Sequence, residues 1–352
     1  MQITDVRAVQ PHCEGSPPDW RTSLGQILVA VDTDCGVTGY GVGGGGAAGI
    51  HVVRSVLRDL LLGTELEPAR GLGDLDVLWE RMYSATLPFG QKGLAIMALS
   101  GVDLALWDLW GKALRRPVFG LLGSPRTLRV PAYATVWDDV RPARDAGFQA
   151  VKLHLAGVRG PQDRARIAAS VAGARKLLGP QCALMLDAWM QWDVETTLAV
   201  ADDVAATNIE WIEEPLPADD HAGYRALRDR SPVAIAGGEH EFTDRGFSPL
   251  IQQRLHTVLQ PDITWCGGMT ALRRIYRMAH DAQLRVCPHR GAEIWSLHAL
   301  VTLDLQPLAE QGRPWMQWIP GQPAIIDGYV EVPEDVHGFG VRIDESRLKT
   351  IA

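Results

Sequence analysis

Eight short apolar runs between residues 130 and 310 constrain the fold of this chain more than any other feature. Helical sequence separates each run from the next, and no glycine- or serine-rich linker interrupts the series. Such regular alternation of strand and helix predicts an α/β fold with a (β/α)8-type (modified TIM) barrel, complete or with one modified unit. The runs are VPAYAT (130–135), AVKLHL (150–155), ALMLDA (183–188), IEWIEE (209–214), VAIAGGE (233–239), TVLQPD (257–262), RVCPH (285–289) and LAE (308–310).

The sequence on either side of these runs predicts a different order of strands and helices. Ile27–Thr33 and Val37–Val42 are rich in β-branched residues and are joined by a turn, which predicts a hairpin. Short strands and turns return near the C-terminus. We therefore predict an α+β capping domain over residues 1–125, a barrel over residues 126–321, and a C-terminal segment, residues 322–352, that packs back on the cap. The helices predicted in the cap are 50–62, 72–85 and 93–114.

A glycine-rich stretch follows the predicted hairpin. Gly41–Gly46 formally satisfies the G-x-G-x-x-G pattern of dinucleotide-binding folds. In those folds, however, the glycines follow the first strand of a βαβ unit, whereas here they follow the second arm of a hairpin. A mobile loop, or a flap over a site, is the better interpretation.

The charge balance excludes two classes of partner. Acidic residues exceed basic ones, 42 against 34, so the formal net charge is −8, and no Lys/Arg-rich run is present. Neither nucleic acid nor an anionic membrane is therefore expected as a partner. From the sequence we expect no apolar stretch that approaches the roughly 18 residues of a membrane-spanning helix.

The cysteines indicate a reducing compartment. There are five of them, an odd number, widely spaced and without a C-x-x-C pair, so a disulfide scaffold is not expected. The N-terminal residues lack the basic-then-apolar pattern of a signal peptide. Together these features predict a cytoplasmic protein.

Charged side chains end most of the apolar runs. In a parallel barrel the C-terminal ends of all strands open on one face, so residues far apart in sequence converge there. The polar residues at the run ends are Lys152, His154, Asp187, Glu213, Glu214, Glu239, Asp262, His289 and Glu310.

Three of these acids predict a metal site. Asp187, Glu213 and Glu239 end successive runs, and three carboxylates cannot stay ionised together in a pocket without a cation. Oxygen ligands favour a hard divalent ion, Mg²⁺ first and Mn²⁺ second. The alternative is that the acids are solvated loop residues or salt-bridge partners. Glu214 points away from its neighbour Glu213, so one of the two is a ligand and the other supports a neighbouring group.

The remaining run ends supply acid–base groups. Asp262 and His289 end adjacent runs, and an Asp that accepts a hydrogen bond from an imidazole fixes its tautomer and raises its basicity. Lys152 and His154 share one face of their strand across the barrel from His289. A cation there can neutralise a substrate carboxylate, and either group can move a proton.

The sequence around these residues resembles the enolase superfamily. Within it, the chain is similar to the mandelate racemase-type subgroup and most like the L-rhamnonate dehydratase-like sugar-acid dehydratases. The likeness covers essentially the whole chain, and QPD-x-x-WCGG together with GEHE is its most specific part. The segments that carry it are MYSATL (82–87), VDLALWDLWGKALRRPVFGLLG (102–123), LMLDAW (184–189), WIEEPLPADDHAGYRAL (211–227), GEHE (238–241), QPDITWCGG (260–268) and PHRG (288–291).

The resemblance implies a role for each candidate residue. It implies Asp187, Glu213 and Glu239 as Mg²⁺ ligands, and His289, oriented by Asp262, as the base that removes the proton α to a carboxylate. It also implies a homo-oligomer that acts on a small-molecule sugar acid. The further roles that it implies are Glu310 as the acid that hydrogen-bonds the developing enolate oxygen, Lys152 and His154 as groups beside the substrate carboxylate, and Arg21 and His240 as substrate contacts.

The implied reaction is Mg²⁺-dependent dehydration of an aldonate or aldarate to a 2-keto-3-deoxy acid through an ene-diolate. The alternatives are a racemase or epimerase that uses His154 and His289 as opposed bases, and a non-catalytic barrel that binds a metal and a sugar acid. Rhamnonate dehydratases carry Lys-Met-Pro where this chain has Lys152–His154, and Gly-Ser-Ser where it has Arg290–Ala292. A different aldonic acid, or an aldaric acid whose second carboxylate meets Arg290, is therefore the hypothesis for the substrate.

Overall fold

The computed structural model describes residues 1–12, 24–155, 157–313, 319–348 and 350. The chain opens with a three-stranded antiparallel sheet in the order β1-β2-β3. Its second and third strands form the predicted hairpin, with Ile27 opposite Gly43 and Asp32 opposite Thr38. The strands are β1 (Ile3–Val9), β2 (Ile27–Thr33) and β3 (Thr38–Gly43).

Helices cover one face of this sheet and complete the cap. The central one, Leu94–Leu114, is apolar along most of its length, and all but five of its 21 residues are buried. The first predicted helix begins four residues before residue 50 and contains a π-helical turn, Val53–Leu57. The α-helices are α1 (Gly46–Val52), α2 (Arg58–Leu61), α3 (Gly73–Thr86), α4 (Leu94–Leu114) and α5 (Val118–Leu122), with a 3-10 turn at Pro68–Arg70.

Close packing of β3 on α4 explains part of the glycine-rich stretch. A Cβ at Gly41 would lie 2.1 Å from the carbonyl oxygen of Gly101 and 2.4 Å from the backbone nitrogen of Ala105. Only glycine leaves room for the helix backbone at this distance. Gly41 and Gly43 are thus strand residues that admit a helix, and neither the mobile loop nor the dinucleotide pattern describes them.

We expect Gly41→Ala to lower the thermal midpoint by roughly 5 °C or more, because the added methyl group forces α4 away from the sheet. Gly73→Ala is the matched control, since a Cβ at Gly73 meets no heavy atom within 4 Å and the residue begins a helix. Differential scanning calorimetry of both variants measures the effect. Equal midpoints for the two would contradict the packing explanation.

Eight parallel strands coincide with the eight apolar runs and form the barrel sheet. They pair in the order β11-β4-β5-β6-β7-β8-β9-β10. Among the described residues no ladder joins β10 to β11, but the Ala292 backbone N–H donates to the Glu310 carbonyl oxygen at 2.8 Å across that gap. The strands are β4 (Arg129–Val136), β5 (Ala150–His154), β6 (Ala183–Asp187), β7 (Ile209–Glu213), β8 (Ile235–Gly237), β9 (Val258–Leu259), β10 (Arg285–Val286) and β11 (Ala309–Glu310).

A helix follows each barrel strand up to β10. Two of these helices begin with an aspartate whose side chain accepts a hydrogen bond from the first turn: Asp193 from the Thr196 N–H and Asp220 from the Gly223 N–H. Such caps fix where each strand-to-helix loop ends. The helices are α6 (Arg141–Asp145), α7 (Pro161–Leu178), α8 (Val194–Val204), α9 (His221–Arg230), α10 (Thr243–Gln252), α11 (Gly268–Asp281) and α12 (Ile294–Leu303), with a 3-10 turn at Ala205–Thr207.

The C-terminal segment contacts both layers. Its hairpin, β12 (Ile325–Ile326) and β13 (Tyr329–Glu331), extends the barrel sheet because β13 pairs antiparallel with the start of β4. Beyond it, the Glu345 carboxylate, in a 3-10 turn (Glu345–Arg347), binds Arg7 of β1 at 2.5 Å. The added strand was not expected from the sequence.

Helix α4 corrects one expectation from the sequence. By length and composition alone Leu94–Leu114 could cross a membrane, whereas no such stretch was predicted. In the structure 94% of its most apolar window is buried, as in the core helix of a domain. The four cysteines within the described residues are free, as predicted.

Candidate active site

Lys152 lies at the centre of the polar cluster at the C-terminal ends of the barrel strands. Its Nζ is 2.5 Å from Glu213 Oε1, 3.0 Å from Glu310 Oε1 and 3.6 Å from Asp187 Oδ2. The side chain is only 1% exposed, so these contacts are made away from water. Strand register accounts for the convergence, because His154, Asp187 and Glu213 lie side by side on β5, β6 and β7.

Hydrogen bonds hold two of the three carboxylates beside Lys152 in place. Asp187 Oδ1 accepts a hydrogen bond from the Trp189 backbone N–H at 3.0 Å. Glu213 Oε2 accepts one from Gln260 Nε2 at 2.5 Å. Each carboxylate is therefore oriented by a group outside the lysine contact, and Gln260 has a role that the sequence did not suggest.

The cluster carries more negative charge than Lys152 offsets. Burial, together with the neighbouring carboxylates of Asp187 and Glu310, raises the pKa of Glu213 to about 8 despite the lysine. Glu239 adds a further buried carboxylate at the end of β8. Such an excess of hard oxygen donors is what a divalent cation neutralises, so Asp187, Glu213 and Glu239 fit a Mg²⁺ ion chemically.

A second acidic group lies next to this one. One side-chain atom from each of Glu214, Glu239 and His240 falls within 4.8 Å of the other two, which is compact enough for a metal. Glu214 is already engaged, however: its Oε2 lies 2.6 Å from His240 Nδ1, and its Oε1 accepts the Gly238 N–H. Glu214 therefore holds the loop that carries His240. The sequence had assigned such a supporting role to one of Glu213 and Glu214 without deciding which.

His289 and Asp262 form a buried pair on the opposite side of the mouth. His289 Nδ1 lies 2.7 Å from Asp262 Oδ2. Asp262 Oδ1 accepts hydrogen bonds from both the backbone N–H and the hydroxyl of Thr264, each at 2.7 Å. Although burial raises it, the pKa of Asp262 is held well below its usual range by Arg290 and His289. An ionised Asp262 makes Nδ1 the protonated nitrogen, so the lone pair of the imidazole lies on Nε2, which can accept a hydrogen bond or a proton.

The Nε2 side of His289 faces the carboxylate cluster. Glu239 Oε1 is 3.3 Å from Nε2, and Glu310 Oε2 is 3.9 Å away. Arg313 donates to Nε2 at 2.8 Å, a contact that the sequence did not suggest. His289 thus connects its own Asp262 pair with the groups around Lys152.

Glu310 is fixed by three donors. The Thr135 hydroxyl donates to Oε1 at 2.7 Å, the Arg290 backbone N–H donates to Oε2 at 2.8 Å, and Lys152 contacts Oε1. Burial alone would raise the pKa of Glu310, but Lys152 and His289 hold it well below the usual range. In this arrangement Glu310 is an ionised acceptor. To donate a hydrogen bond to an enolate oxygen, as the resemblance implies, it would have to take up a proton.

Arg290 is paired with other side chains of the site. Its guanidinium NH2 lies 3.1 Å from Glu293 Oε2 and donates to the Thr264 hydroxyl at 3.0 Å, and the residue is buried. These contacts orient the loop that carries His289. They leave little support for the expectation that Arg290 receives a second substrate carboxylate. Arg21, the other arginine proposed to contact substrate, lies outside the described residues.

His154 and His240 lie at the rim of the mouth among aromatic rings. His154 Nδ1 is 3.1 Å from Asp187 Oδ2, so this imidazole is tied to a candidate metal ligand. Trp137 and Trp189 flank His154, with ring centroids 5.6 and 6.5 Å away. The sequence gave no reason to place these tryptophans here, because Trp137 follows β4 beyond the predicted run.

Comparisons with known proteins agree with this arrangement. The enolase C-terminal domain-like family matches residues 136–347, and the N-terminal domain family of mandelate racemase / muconate lactonizing enzyme matches residues 20–123. An L-rhamnonate dehydratase of Saccharopolyspora erythraea is 34% identical over 353 aligned positions, which cover 93% of this chain and 87% of that protein.

Two solved structures show the same fold. Rhamnonate dehydratase from Gibberella zeae complexed with Mg has a TM-score of 0.88 at 26% identity, covering 98% of this chain and 94% of its own. A racemase from Streptomyces coelicolor A3(2) with bound magnesium has a TM-score of 0.84 at 29% identity, covering 98% of each chain. Both similar structures thus contain magnesium.

Proposed function

Because the chain belongs to the mandelate racemase / muconate lactonizing enzyme family of the enolase superfamily, we propose that it is a Mg²⁺-dependent dehydratase of a sugar acid. It removes the proton α to the carboxylate and expels the β-hydroxyl group as water. The product is a 2-keto-3-deoxy acid. Support for dehydration over other reactions of the family comes from the L-rhamnonate dehydratase, 34% identical, that the chain matches over 93% of its length.

The observation that carries the proposal is the position of His289 relative to the cluster around Lys152. The unprotonated Nε2 of His289 faces the same space as Glu239 and Glu310, and Lys152 holds Glu310 on the far side. A base and a set of charge-stabilising groups around one space are what the removal of a weakly acidic carbon-bound proton requires.

Asp187, Glu213 and Glu239 would hold the Mg²⁺ ion. When bound, the ion supplies positive charge beside the carboxyl oxygens of the substrate, which makes the adjacent C–H more acidic. Lys152 adds a second, permanent positive charge, because burial lowers its pKa less than the three surrounding carboxylates raise it.

Each proton has a residue that can move it. His289 Nε2 accepts the α-proton, and Asp262 stabilises the imidazolium that results. The Cβ–O bond then breaks while a Cα–Cβ double bond forms, and the departing hydroxyl group takes a proton to leave as water. His289, once it carries the α-proton, and His154 are the imidazoles placed at the mouth for that transfer. The enol product becomes the ketone by taking a proton at Cβ and releasing the proton of its Cα hydroxyl group.

The second candidate is racemisation or epimerisation at the α-carbon. It is favoured by the two imidazoles, His154 on β5 and His289 beyond β10, at different sides of the mouth, and by the similarity to the Streptomyces coelicolor racemase. In this reaction recovered substrate would acquire deuterium from D2O without ketoacid forming. Dehydration would instead give ketoacid in proportion to substrate lost.

A panel of aldonic and aldaric acids with Mg²⁺ tests the proposal. We expect one or more aldonates to yield 2-keto-3-deoxy product, detected by semicarbazone absorbance, and EDTA to abolish the signal. The S. erythraea relative makes L-rhamnonate a necessary member of the panel. Thermal shifts with sugar acids but no product from any of them would favour a non-catalytic binding barrel and contradict the proposal.

A further inference from the structure

A continuous arc of aromatic rings follows the rim of the barrel mouth. Neighbouring ring centroids along it are 5.6 to 6.5 Å apart, and neighbouring ring planes are inclined by 45° to 60°. The rings come from segments that end five different strands and the loop after β4. In order, this aromatic arc is Trp137, His154, Trp189, His240, Trp265 and His289.

Most of the arc lies at the surface of the mouth, although Trp265 packs against the hydrophobic core and His289 is buried. Trp137 is 61% exposed, and Trp189, Trp265 and the two rim histidines are partly exposed as well. A large apolar ring left in water at the mouth of a pocket is a feature that ligand sites share, since such sites are lined mainly by aromatic and apolar groups.

The backbone that carries Trp189 is strained. Trp189 and Met190 have φ angles of +43° and +61°, a region that side chains other than glycine rarely occupy. The turn is held by the bond from the Trp189 N–H to Asp187 Oδ1 and by one from the Met190 N–H to the Glu214 carbonyl at 2.6 Å. Strain of this kind persists where the surroundings impose it, and it clusters at functional sites.

The position of the arc relative to the charges gives it a direction. Lys152 and His289 are buried, whereas Trp137 is 61% exposed and its ring contacts the ring of His154. A substrate whose carboxylate lies beside Lys152 therefore has the indole rings next to the remainder of its carbon chain.

Indole faces suit one class of sugar acid better than another. The face of an aromatic ring is electron-rich, so it attracts C–H bonds polarised by neighbouring oxygens and repels an anion. A second carboxylate would need an unpaired cation beside the indole rings. Among the described residues, Arg290 is bound to Glu293, Lys92 to Glu241 at 2.6 Å and His240 to Glu214 at 2.6 Å. Arg313 contacts His289, at the opposite end of the arc from Trp137.

We propose that Trp137, Trp189 and Trp265 form the subsite for the carbons remote from the reacting carboxylate, and that this subsite selects aldonic acids over aldaric acids. The proposal rests on the proposed function and names its substrate class. The tryptophans contribute binding to the far end of the chain and take no part in proton transfer.

Trp137 is the tryptophan to replace, because its exposure makes a folding defect less of a concern. For an aldonate of five or six carbons we expect Trp137→Ala to raise KM about tenfold, equivalent to ~1.4 kcal/mol. kcat should change less than twofold. Trp137→Phe should restore KM to within about threefold of the wild type. Leu305→Ala removes another exposed apolar side chain, outside the arc, and should leave both constants unchanged.

Two further measurements complete the test. Calorimetry with His289→Asn protein measures substrate binding without turnover. In that background Trp137→Ala should raise Kd for the aldonate by the same factor of about ten. The aldarate of equal length should have kcat/KM at least tenfold below the aldonate in the wild type.

The outcomes separate the two proposals. Unchanged KM in Trp137→Ala, or a fall in kcat at constant KM, would overturn the subsite, and an equally good aldarate would overturn the class assignment. If no sugar acid is dehydrated by the wild-type enzyme, the proposed function is wrong and the subsite falls with it.

Discussion

Replacing His289 with asparagine should lower kcat/KM for the sugar acid by roughly 10³-fold, while the protein remains folded and still binds Mg²⁺. The expected loss follows from the removal of the one imidazole whose Nε2 faces Glu239 and whose Nδ1 is held by Asp262. The asparagine side chain can keep the bond to Asp262 but cannot accept the α-proton. Steady-state kinetics by the semicarbazone assay measure the loss.

Two further variants test whether the loss of activity is due to the missing base. Asp262→Asn keeps the shape of the pair but removes the charge that selects the tautomer, so it should cost about 10²-fold or more. His280→Asn, on the exposed face of α11, should leave activity unchanged. Activity of His289→Asn within tenfold of the wild type would exclude His289 as the base and shift attention to His154.

Removal of the metal should abolish activity and lower the thermal midpoint. Chelation leaves Asp187, Glu213 and Glu239 to repel one another with only Lys152 between two of them. Saturating Mg²⁺ should restore turnover and, at about 100 times its Kd, stabilise the protein by ~2.7 kcal/mol. A rise in midpoint of about 5 °C is then expected. Titration of EDTA-treated protein with MgCl2 in a thermal-shift assay measures it without substrate.

A pair of glutamate variants tests which acids hold the ion. Glu239→Gln should raise the Mg²⁺ concentration needed for half-maximal shift by at least tenfold, because a charged ligand is lost. Glu210→Gln changes an exposed acid on the same strand as Glu213 and should have no effect. A Glu239→Gln protein that responds to Mg²⁺ like the wild type would rule out the predicted ligand set.

The sequence predicted the barrel strands and the residues at their ends with some success because both depend on local pattern. An apolar run marks each strand, although β8, β9 and β10 end two or three residues before their runs do. The parallel arrangement then brings Lys152, Asp187 and Glu213 to one edge whatever the helices between them look like. Periodicity alone was therefore enough to place them together.

Other parts of the site depend on loops, which follow no such pattern. Arg313 reaches His289 from the segment after β11, and Trp189 reaches the rim through a turn with positive φ angles. Neither position can be read from hydropathy. Gln260 could have been noticed, since it lies two residues before Asp262 and so on the same face of the chain, but a neutral amide gave no signal of charge.

Arg290 shows a different limit. Its place after His289 suggested a substrate contact, but its guanidinium pairs with Glu293, three residues later in the same loop. A residue that follows a catalytic residue in sequence lies in the same loop, but its side chain need not face the substrate.

The strand that β13 adds to β4 has a consequence for how the chain is made. A ribosome releases β4 long before β13, so the start of β4 has an unpaired row of backbone N–H and C=O groups until the last part of the chain emerges. During that interval the nascent barrel offers an open edge on which strands of another polypeptide can assemble. Only the synthesis of β13 closes this edge, so the order of the strands in the chain keeps it open throughout synthesis of the intervening residues.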